Sequence, residues 1–406
     1  MAINLLTFIF LAILVSGSAV TSNQLFPHKG QDGTDALAAA AIDGLCITLV
    51  MTQGYVCEEH TVTTQDGYIL NMQRIPMGWS GGEPGKRPPV LLQHGLLSDG
   101  ATWLLLPPDQ ALAFVLADNG FDVWLANTRG TKYSHGHTSP SGYWDWSWDE
   151  LVTFELPAMF QYVYNKTGQK LHYVGHSQGT LIALAALSED KALLNTWRSV
   201  SLLAPLAYAG QMTSQVTRAI AENIIAHVPY WLDIQVFKPY GKAAFQLFVD
   251  VCKQPGVDCS DLLSALAGQN CCLNPLSLVA MLVHGEPTST KNLIHLSQMI
   301  TKGTFAKYDY NDWNKNRKHY GGQPTPPAYK LENIPNDFPL YLFHGGADAI
   351  CDVEDVQHLL NDGLKHHHRD KLFVKFIEKY AHFDFVIGYN SKQLVYDPLM
   401  NFLRLH

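Results

Sequence analysis

The pentapeptide Gly-His-Ser-Gln-Gly places Ser177 midway between Gly175 and Gly179, within the segment LHYVGHSQGTLIALAALSE. The apolar stretch before the pentapeptide predicts a strand, and the stretch after it predicts a helix. A serine on a sharp turn between a strand and a helix presents its hydroxyl as a nucleophile, and small residues on both sides let the chain segments pass closely. The alternative is an ordinary turn serine, but this context favours a nucleophile.

A serine hydroxyl needs a base in order to attack at neutral pH, and the base needs a carboxylate that orients it. When the serine lies on such a turn, the acid follows it along the chain and the histidine comes last. Two late predicted strands, FPLYLFH and LFVKFIE, supply both residues. Asp348 follows the first strand in a glycine-rich turn, and His382 follows the second. We therefore predict His382 as the general base and Asp348 as the residue that orients it.

Other residues compete for both roles. Asp352 and Asp355 lie where the next helix should begin and could cap or flank it, while Asp384 is too close in sequence to His382 to orient it. A run of three histidines beside two basic residues predicts a solvated surface patch rather than a base. The run comprises His366, His367 and His368, next to Lys365 and Arg369.

The oxyanion that forms during acyl transfer needs preorganised hydrogen-bond donors, and the loss of one can cost about 3 kcal/mol of barrier. The residue after the nucleophile, Gln178, supplies one backbone N–H. The stretch VLLQHGLL supplies the second at Leu96, after the flexible Gly95, in a loop that follows an early predicted strand. His94 precedes the serine in the chain, which favours a structural role, such as a hydrogen bond that holds this loop.

Alternating strands and helices position these residues. Residues 56–64 and 68–75 predict two strands joined by a tight turn at Asp66-Gly67. From about residue 90 to residue 205 strands alternate with helical stretches, and the two late strands resume the pattern. This order predicts an α/β fold with a mostly parallel central sheet, helices on both of its faces and an antiparallel hairpin at its beginning.

Between about residues 207 and 336 the strand pattern stops. A structureless loop of that length would be improbable in a compact domain, so we predict a helical insertion that lies over the sheet. Trp231, Phe237 and Phe245 in this region could line an acyl pocket, form an interfacial lid, or be the insertion's own core.

The first 19 residues contain an apolar run followed by small residues, which is typical of a secretory signal peptide. A membrane anchor is the weaker alternative, because the run is shorter than the roughly 20 residues that span a bilayer. No later stretch is long and apolar enough to do so. The net charge of −8, without a long basic run, excludes the electrostatic footprint of a nucleic-acid binder.

Seven cysteines suit an exported chain, where disulfides persist, and the odd number leaves at least one outside an intramolecular pair. Four of them cluster between Cys252 and Cys272, which predicts a local disulfide of undetermined connectivity. A zinc site is the competing interpretation, but the spacing does not repeat a zinc pattern. The sequon Asn165-Lys166-Thr167 predicts a glycosylation site on the surface.

Together these stretches resemble the acid lipase family of gastric, lysosomal acid and plant triacylglycerol lipases. The matching stretches follow the family order and are GYVCEEHTVTTQDGYIL, LLQHGLL, NGFDVWLANTRGTKYSHGH, GHSQGT, FHGGAD and YAHFDF. The resemblance implies an α/β-hydrolase fold and a cap domain with a lid where the insertion lies. Its nucleophile, acid and base fall on Ser177, Asp348 and His382, and its oxyanion donors on Leu96 and Gln178. The stretch around Cys57 resembles the plant members most.

The expected protein is a serine ester hydrolase of long-chain acyl esters, foremost triacylglycerol, which acts at the lipid–water interface without a metal or organic cofactor. Two alternatives remain: a sterol-ester or short-chain carboxylesterase, and a non-catalytic lipid-binding protein on a hydrolase fold. The expected organisation is a signal peptide (1–19), the two parts of the hydrolase core (20–206 and 337–406) and the cap (207–336). The secretory pathway would deliver the chain outside the cell or to a vacuole or lysosome.

Overall fold

A computed structural model describes residues 44–81, 87–139, 141–259 and 261–406, and residues 45–406 form one compact unit. The predicted signal peptide lies outside the described residues. Within the described ranges, every helix is too short or too polar to cross a lipid bilayer.

The described residues form a nine-stranded sheet and a separate two-stranded ribbon. The strands are β1 (Glu58–Thr63), β2 (Tyr68–Ile75), β3 (Pro89–Gln93), β4 (Asp122–Ala126), β5 (Gly136–His137), β6 (Leu171–His176), β7 (Trp197–Leu203), β8 (Val236–Phe237), β9 (Thr288–Ser289), β10 (Leu340–Gly345) and β11 (Leu372–Ile377). The large sheet has the order β1-β2-β4-β3-β6-β7-β10-β11, and β5 pairs with β2.

Strand burial explains this arrangement. Strands β3, β4 and β6 are buried along their whole length, as strands covered by helices on both faces must be. Strand β1 instead alternates between partly buried and exposed residues, which suits the edge of the sheet. The β1–β2 and β2–β4 pairs are antiparallel, and the pairs from β4 through β3, β6, β7 and β10 to β11 are parallel. The predicted mostly parallel sheet and its antiparallel hairpin are confirmed.

Helices connect the strands of the large sheet. Those outside the insertion are α1 (Leu112–Asp118), α2 (Trp148–Glu150), α3 (Leu156–Thr167), α4 (Gln178–Glu189), α12 (Val353–His358), α13 (Asp384–Ile387) and α14 (Asp397–Leu405), and a π-helical segment, Leu151–Glu155, joins α2 to α3. Asn165 is exposed near the end of α3, so the predicted surface position of the sequon is confirmed.

Helices predominate between residues 207 and 336. They are α5 (Gln215–Ala226), α6 (Val228–Ile234), α7 (Lys242–Cys252), α8 (Leu262–Ala267), α9 (Pro275–Val283), α10 (Thr290–Lys302) and α11 (Trp313–His319). Trp231 and Phe237 are buried in a hydrophobic cluster of this region, with Leu247 and Ile294. Trp231 and Phe237 therefore belong to the insertion's own core, which was one of the three interpretations of these aromatic residues. Phe245 is 49% exposed.

The cysteines form three disulfides, Cys46–Cys57, Cys252–Cys259 and Cys271–Cys272, and Cys351 is free and buried. The predicted local disulfide is thus confirmed twice over within the cluster, and the odd cysteine is Cys351.

One prediction on the histidine run is wrong. His367 is buried and its Nε2 lies 2.7 Å from the Phe338 carbonyl oxygen, so only its two neighbours are exposed.

Candidate active site

Ser177 lies alone between β6 and α4, with φ 54° and ψ −120°. A non-glycine residue in this region costs of order 1–3 kcal/mol and persists only where its surroundings impose it. Here the Ser177 N–H donates to the Leu203 carbonyl at 3.1 Å, and the Thr180 hydroxyl donates to the Ser177 carbonyl at 2.6 Å. These bonds hold the strained turn that carries the serine side chain.

The two glycines of the pentapeptide are required by close contacts. A Cβ atom on Gly175 would lie 2.7 Å from the backbone carbon of Gly179, and one on Gly179 would lie 2.6 Å from the Gln93 carbonyl oxygen. Real Cβ atoms do not approach backbone this closely. The spacing of the pentapeptide therefore lets β6, α4 and the end of β3 pack together around Ser177.

The structure brings Ser177, His382 and Asp348 together although they lie far apart in sequence. His382 Nε2 is 2.8 Å from Ser177 Oγ, and His382 Nδ1 is 3.1 Å from Asp348 Oδ2. Each residue follows the end of a strand, and the ends of β6, β7, β10 and β11 lie side by side in the parallel register. The carboxyl ends of parallel strands are where such sheets gather a site.

Asp348 is buried, and its carboxylate binds both the imidazole of His382 and backbone N–H groups. Its Oδ1 accepts the backbone N–H groups of Ile350 and Cys351, each at 2.9 Å. Burial alone would raise the pKa of Asp348, but His382 and these two N–H groups outweigh it and hold that pKa below its ordinary value. Asp348 is therefore a carboxylate in a set orientation. Its rival Asp352 instead caps α12, as its position suggested.

The predicted oxyanion donors belong to two segments that adjoin the serine. Gln178 is the first residue of α4, so its N–H has no acceptor within the helix and lies at the positive end of the helix dipole. Leu96 follows Gly95, where a Cβ atom would lie 3.0 Å from Ser177 Cβ. The loop that carries Leu96 is thus in contact with the serine.

His94 holds this loop, as predicted. Its Nε2 accepts the Thr128 N–H at 3.1 Å, and its Nδ1 donates to the Gly95 carbonyl at 2.8 Å. Burial lowers the pKa of His94, which favours this neutral ring.

Glu286, from the helical region, also holds the loop, and no sequence pattern predicted it. Its N–H donates to the Leu97 carbonyl at 3.0 Å, and its carboxylate accepts the Lys132 N–H at 2.8 Å. The Lys132 ammonium also pairs with Asp99, two residues beyond Leu97, at 3.2 Å. Burial above all, and then Asp99, raise the pKa of Glu286 to about 7.

His176, inside the pentapeptide, was also missed as a site residue. Its Nε2 donates to the backbone carbonyl of His382 at 2.9 Å, and the two rings lie 4.8 Å apart. Burial, followed by the neighbouring His382, lowers the pKa of His176 to about 3, so the ring is neutral. Its place beside the serine was the only signal that could have found it.

Among the described residues, two groups of potential metal ligands lie close together. In the first, Cys271 and Cys272 are joined in a disulfide beside Asp384; in the second, Asp348 and His382 bind each other beside Cys351. Neither group offers a ready set of metal ligands, because the two sulfurs of the first group are bonded to each other and the carboxylate and imidazole of the second are hydrogen-bonded to each other.

Comparisons with known proteins show which family this chain belongs to. Residues 46–106 match the model of a partial alpha/beta-hydrolase lipase region, and residues 88–389 match the alpha/beta hydrolase fold. Triacylglycerol lipase 2 of Arabidopsis thaliana is 47% identical over 90% of this chain and 88% of its own. Human gastric triacylglycerol lipase is 35% identical over 86% of this chain and 88% of its own.

Solved structures agree on the fold alone. Monoglyceride lipase of Saccharomyces cerevisiae aligns with a TM-score of 0.51 at 16% identity, over 85% of this chain and 94% of that one. The alpha/beta hydrolase GrgF of Penicillium aligns with a TM-score of 0.53 at 15% identity, over 86% and 99% of the two chains.

Proposed function

The chain belongs to the lipase family of α/β hydrolases, and on that premise we propose that it is a triacylglycerol lipase that cleaves long-chain acyl esters. The observation that carries the proposal is the hydrogen-bonded series from Ser177 Oγ through His382 to Asp348, at 2.8 and 3.1 Å. The relatives named triacylglycerol lipases support the choice of substrate.

In the first half of the reaction, Ser177 Oγ attacks the ester carbonyl carbon while His382 Nε2 takes the hydroxyl proton. Asp348 accepts the Nδ1–H bond of His382, which keeps Nε2 free to act as the base. The carbonyl oxygen becomes an oxyanion that the N–H groups of Leu96 and Gln178 receive. The intermediate then collapses, the His382 proton passes to the leaving glyceride oxygen, and the acyl group stays on Ser177.

In the second half, water enters the place of the departed alcohol. His382 takes a proton from this water as it attacks the acyl carbonyl, and the same two N–H groups receive the second oxyanion. Collapse returns the proton to Ser177 and releases the fatty acid. The reaction balances with one water consumed for each ester cleaved.

The substrate is insoluble in water, and helix α9 supports docking of the protein on a lipid surface. Its outward residues Leu276, Val279 and Val283 are 82%, 36% and 63% exposed. The sequence has no Asp, Glu, Lys or Arg between Asp261 and Glu286. An exposed apolar face without charges suits the uncharged surface of a triglyceride emulsion better than it suits water.

We further propose that residues 1–19 are a signal peptide and that the chain enters the secretory pathway, for secretion or for a vacuole or lysosome. The three disulfides support this, since disulfides persist in oxidising compartments, and so does the exposure of Asn165 for glycosylation. Residues 207–336 would be the cap on a core made of residues 20–206 and 337–406. Their mostly helical structure and their own hydrophobic cluster support that division.

The decisive test is hydrolysis of emulsified triolein by the wild type, by Ser177→Ala and by the control Ser188→Ala. Removing the serine of such a unit costs on the order of a millionfold in kcat, so Ser177→Ala should show no turnover above background. Ser188 lies on α4, the helix that follows Ser177, and its hydroxyl donates only to the Ala185 carbonyl, so its variant should retain wild-type rates. Turnover by Ser177→Ala would refute the proposal.

Two further measurements separate the alternatives. Faster hydrolysis of cholesteryl oleate or of dissolved tributyrin than of emulsified triolein would favour the sterol-ester or short-chain enzyme. A fluorophosphonate probe that leaves Ser177 unlabelled in the folded wild type would favour a non-catalytic lipid-binding protein.

A further inference from the structure

One segment of the helical region binds the loop that carries the base. The Ala267 carbonyl accepts the N–H of His382 at 3.3 Å, and Asn270 Oδ1 accepts the N–H of Phe383 at 3.2 Å. The Ala267 carbonyl also accepts the N–H of Ala349, next to Asp348, at 3.4 Å. The positions of the base and of its acid therefore both depend on this segment.

Asp384 connects the same segment to the loop that carries His382, and both of its carboxylate oxygens take part. Oδ1 accepts the N–H of Cys272 at 3.0 Å, while Oδ2 accepts the N–H of Cys271 at 3.1 Å and that of Ala381 at 2.8 Å. The side chain is fully buried. Asp384 thus ties the residue before His382 to two consecutive backbone N–H groups of the helical region.

The disulfide between Cys271 and Cys272 constrains those two N–H groups. A bond between neighbouring cysteines closes a small ring that contains the peptide bond joining them, so it restricts the backbone of both residues. Cys271 is an exposed residue, so we expect a reductant in solution to reach its sulfur. The disulfide that constrains both donors is therefore one that a reductant in solution can open.

We propose that Asp384 and the Cys271–Cys272 disulfide form a redox-sensitive clamp that positions His382 against Ser177. The proposal rests on the proposed function, since it takes His382 as the base. Asp384 is a positioning residue here, because its carboxylate contacts backbone N–H groups rather than the imidazole or the hydroxyl.

The redox step is ordinary thiol–disulfide exchange with a dithiol reductant. One thiolate of the dithiol attacks Cys271 Sγ, the bond to Cys272 breaks, and Cys272 leaves as a thiolate that takes up a proton. The second thiol of the dithiol then displaces Cys271, also as a thiol. The dithiol loses two electrons and two protons and ends as a disulfide, and the two cysteines gain them. The ring is then open, and its constraint on the backbone of the two donors is removed.

The first test is Asp384→Asn, which keeps the shape but offers one acceptor oxygen where the structure uses two. Since a misplacement of about 1 Å can cost about a hundredfold, we expect kcat on dissolved p-nitrophenyl butyrate to fall between about tenfold and a hundredfold, with KM unchanged within about twofold. The rate of fluorophosphonate labelling of Ser177 should fall in parallel. A merely structural role would lower the folded fraction and leave the rate per labelled site unchanged.

Asp190→Asn is the matched control. Asp190 also accepts two backbone N–H groups, those of Ala192 and Leu193, but through a single oxygen that an amide can replace. This variant should keep the wild-type kcat. An Asp384→Asn variant with the wild-type kcat would overturn the clamp.

The second test needs no change at Asp384. Dithiothreitol should lower kcat of the wild type to the level of the Cys271→Ser/Cys272→Ser variant, which should itself not respond to the reductant. A Cys252→Ser/Cys259→Ser variant, which lacks the other disulfide of the helical region, should keep the response. Mass spectrometry of alkylated peptides reports which bonds have opened.

These outcomes also separate the clamp from the proposed function. A wild type whose Ser177 is not labelled at all would refute the function. A labelled wild type whose kcat is unchanged while the Cys271–Cys272 bond is open, or a double serine variant with the wild-type kcat, would refute the clamp alone. A bond that resists the reductant in folded protein would refute its redox sensitivity. Should Asp384→Asn fail to give a cooperative thermal transition, the reductant comparison decides.

Discussion

Replacement of Asp348 by Asn keeps the shape of the side chain, but it removes the negative charge and puts an NH2 donor in place of one acceptor oxygen. Asp348 Oδ1 accepts two backbone N–H groups, from Ile350 and Cys351. Both carboxylate oxygens face His382 Nδ1, Oδ2 at 3.1 Å and Oδ1 at 3.2 Å. In Asp348→Asn the amide oxygen must take the place of Oδ1, because an NH2 group there would face two donors. The amide NH2 is then left where Oδ2 was, at the shorter of the two contacts with His382 Nδ1, and it donates a hydrogen bond to that nitrogen.

That donor reverses the imidazole tautomer. With Nδ1 as an acceptor, the neutral ring of His382 carries its proton on Nε2, 2.8 Å from Ser177 Oγ, and can no longer receive the hydroxyl proton. The corresponding change in a serine protease lowers kcat about ten-thousandfold through the wrong tautomer, which is about 5 kcal/mol of barrier. We expect a loss of that size here, since both backbone anchors force the same orientation.

The assay is kcat on dissolved p-nitrophenyl butyrate, with thermal unfolding as the measure of folding. The matched control is Asp352→Asn, because Asp352 Oδ1 also accepts two backbone N–H groups, those of Glu354 and Asp355, but faces no imidazole. Asn is as good a helix cap as Asp, so this variant should stay within about twofold of the wild type. A folded Asp348→Asn variant that keeps more than a tenth of kcat would refute the tautomer argument, as would a large loss in Asp352→Asn.

Two further predictions follow from burial and from exposure. Burial lowers the pKa of His172 from 6.5 to about 3. Between these two pH values the unfolded chain protonates this histidine and the folded chain does not, so protonation favours unfolding. The stability that neutral His172 contributes is therefore present above pH 6.5 and is lost as the pH falls. Urea unfolding should therefore show the stability advantage of the wild type over His172→Gln shrinking by up to about 1.4 kcal/mol per pH unit below pH 6.5, whereas a difference independent of pH would contradict this. The double variant Leu276→Asp/Val283→Asp should lose at least about tenfold on emulsified triolein and nothing on dissolved p-nitrophenyl butyrate, because charges on α9 oppose transfer to an apolar surface. The control Val56→Asp changes a residue that is 51% exposed on another part of the chain, and an equal loss there would contradict docking through α9.

The sheet could be predicted from sequence because each of its strands carries a local pattern. Completely buried strands read as short apolar runs, and the hairpin carries the Asp66-Gly67 turn signal. The alternating region that was predicted to end at about residue 205 ends with the strand Trp197–Leu203. His367 was misplaced because charged neighbours dominate its stretch, and only the folded chain shows its bond to the Phe338 carbonyl.

The positions of Ser177, Asp348 and His382 were also predictable, since each follows a strand end on one edge of the sheet. The residues that support them were not. Glu286 reaches the loop of Leu96 through its own backbone N–H, which leaves no residue-type signal in the sequence. Asp384 stands beside the base, yet its three bonds go to backbone groups, two of them more than a hundred residues away along the chain.

The helical region, residues 207–336, helps to align the proposed site. The Glu286 N–H donates to the Leu97 carbonyl at 3.0 Å, beside the proposed oxyanion donor Leu96. Asn292 Oδ1 accepts the side-chain NH2 of Gln178, the other proposed donor residue, at 3.1 Å. The Ala267 carbonyl binds the base loop. Because the helical region contacts Gln178, the neighbour of Leu96 and the backbone of His382, a change in its packing should move these proposed catalytic groups together. Substitutions there that alter substrate choice should therefore alter kcat as well as KM.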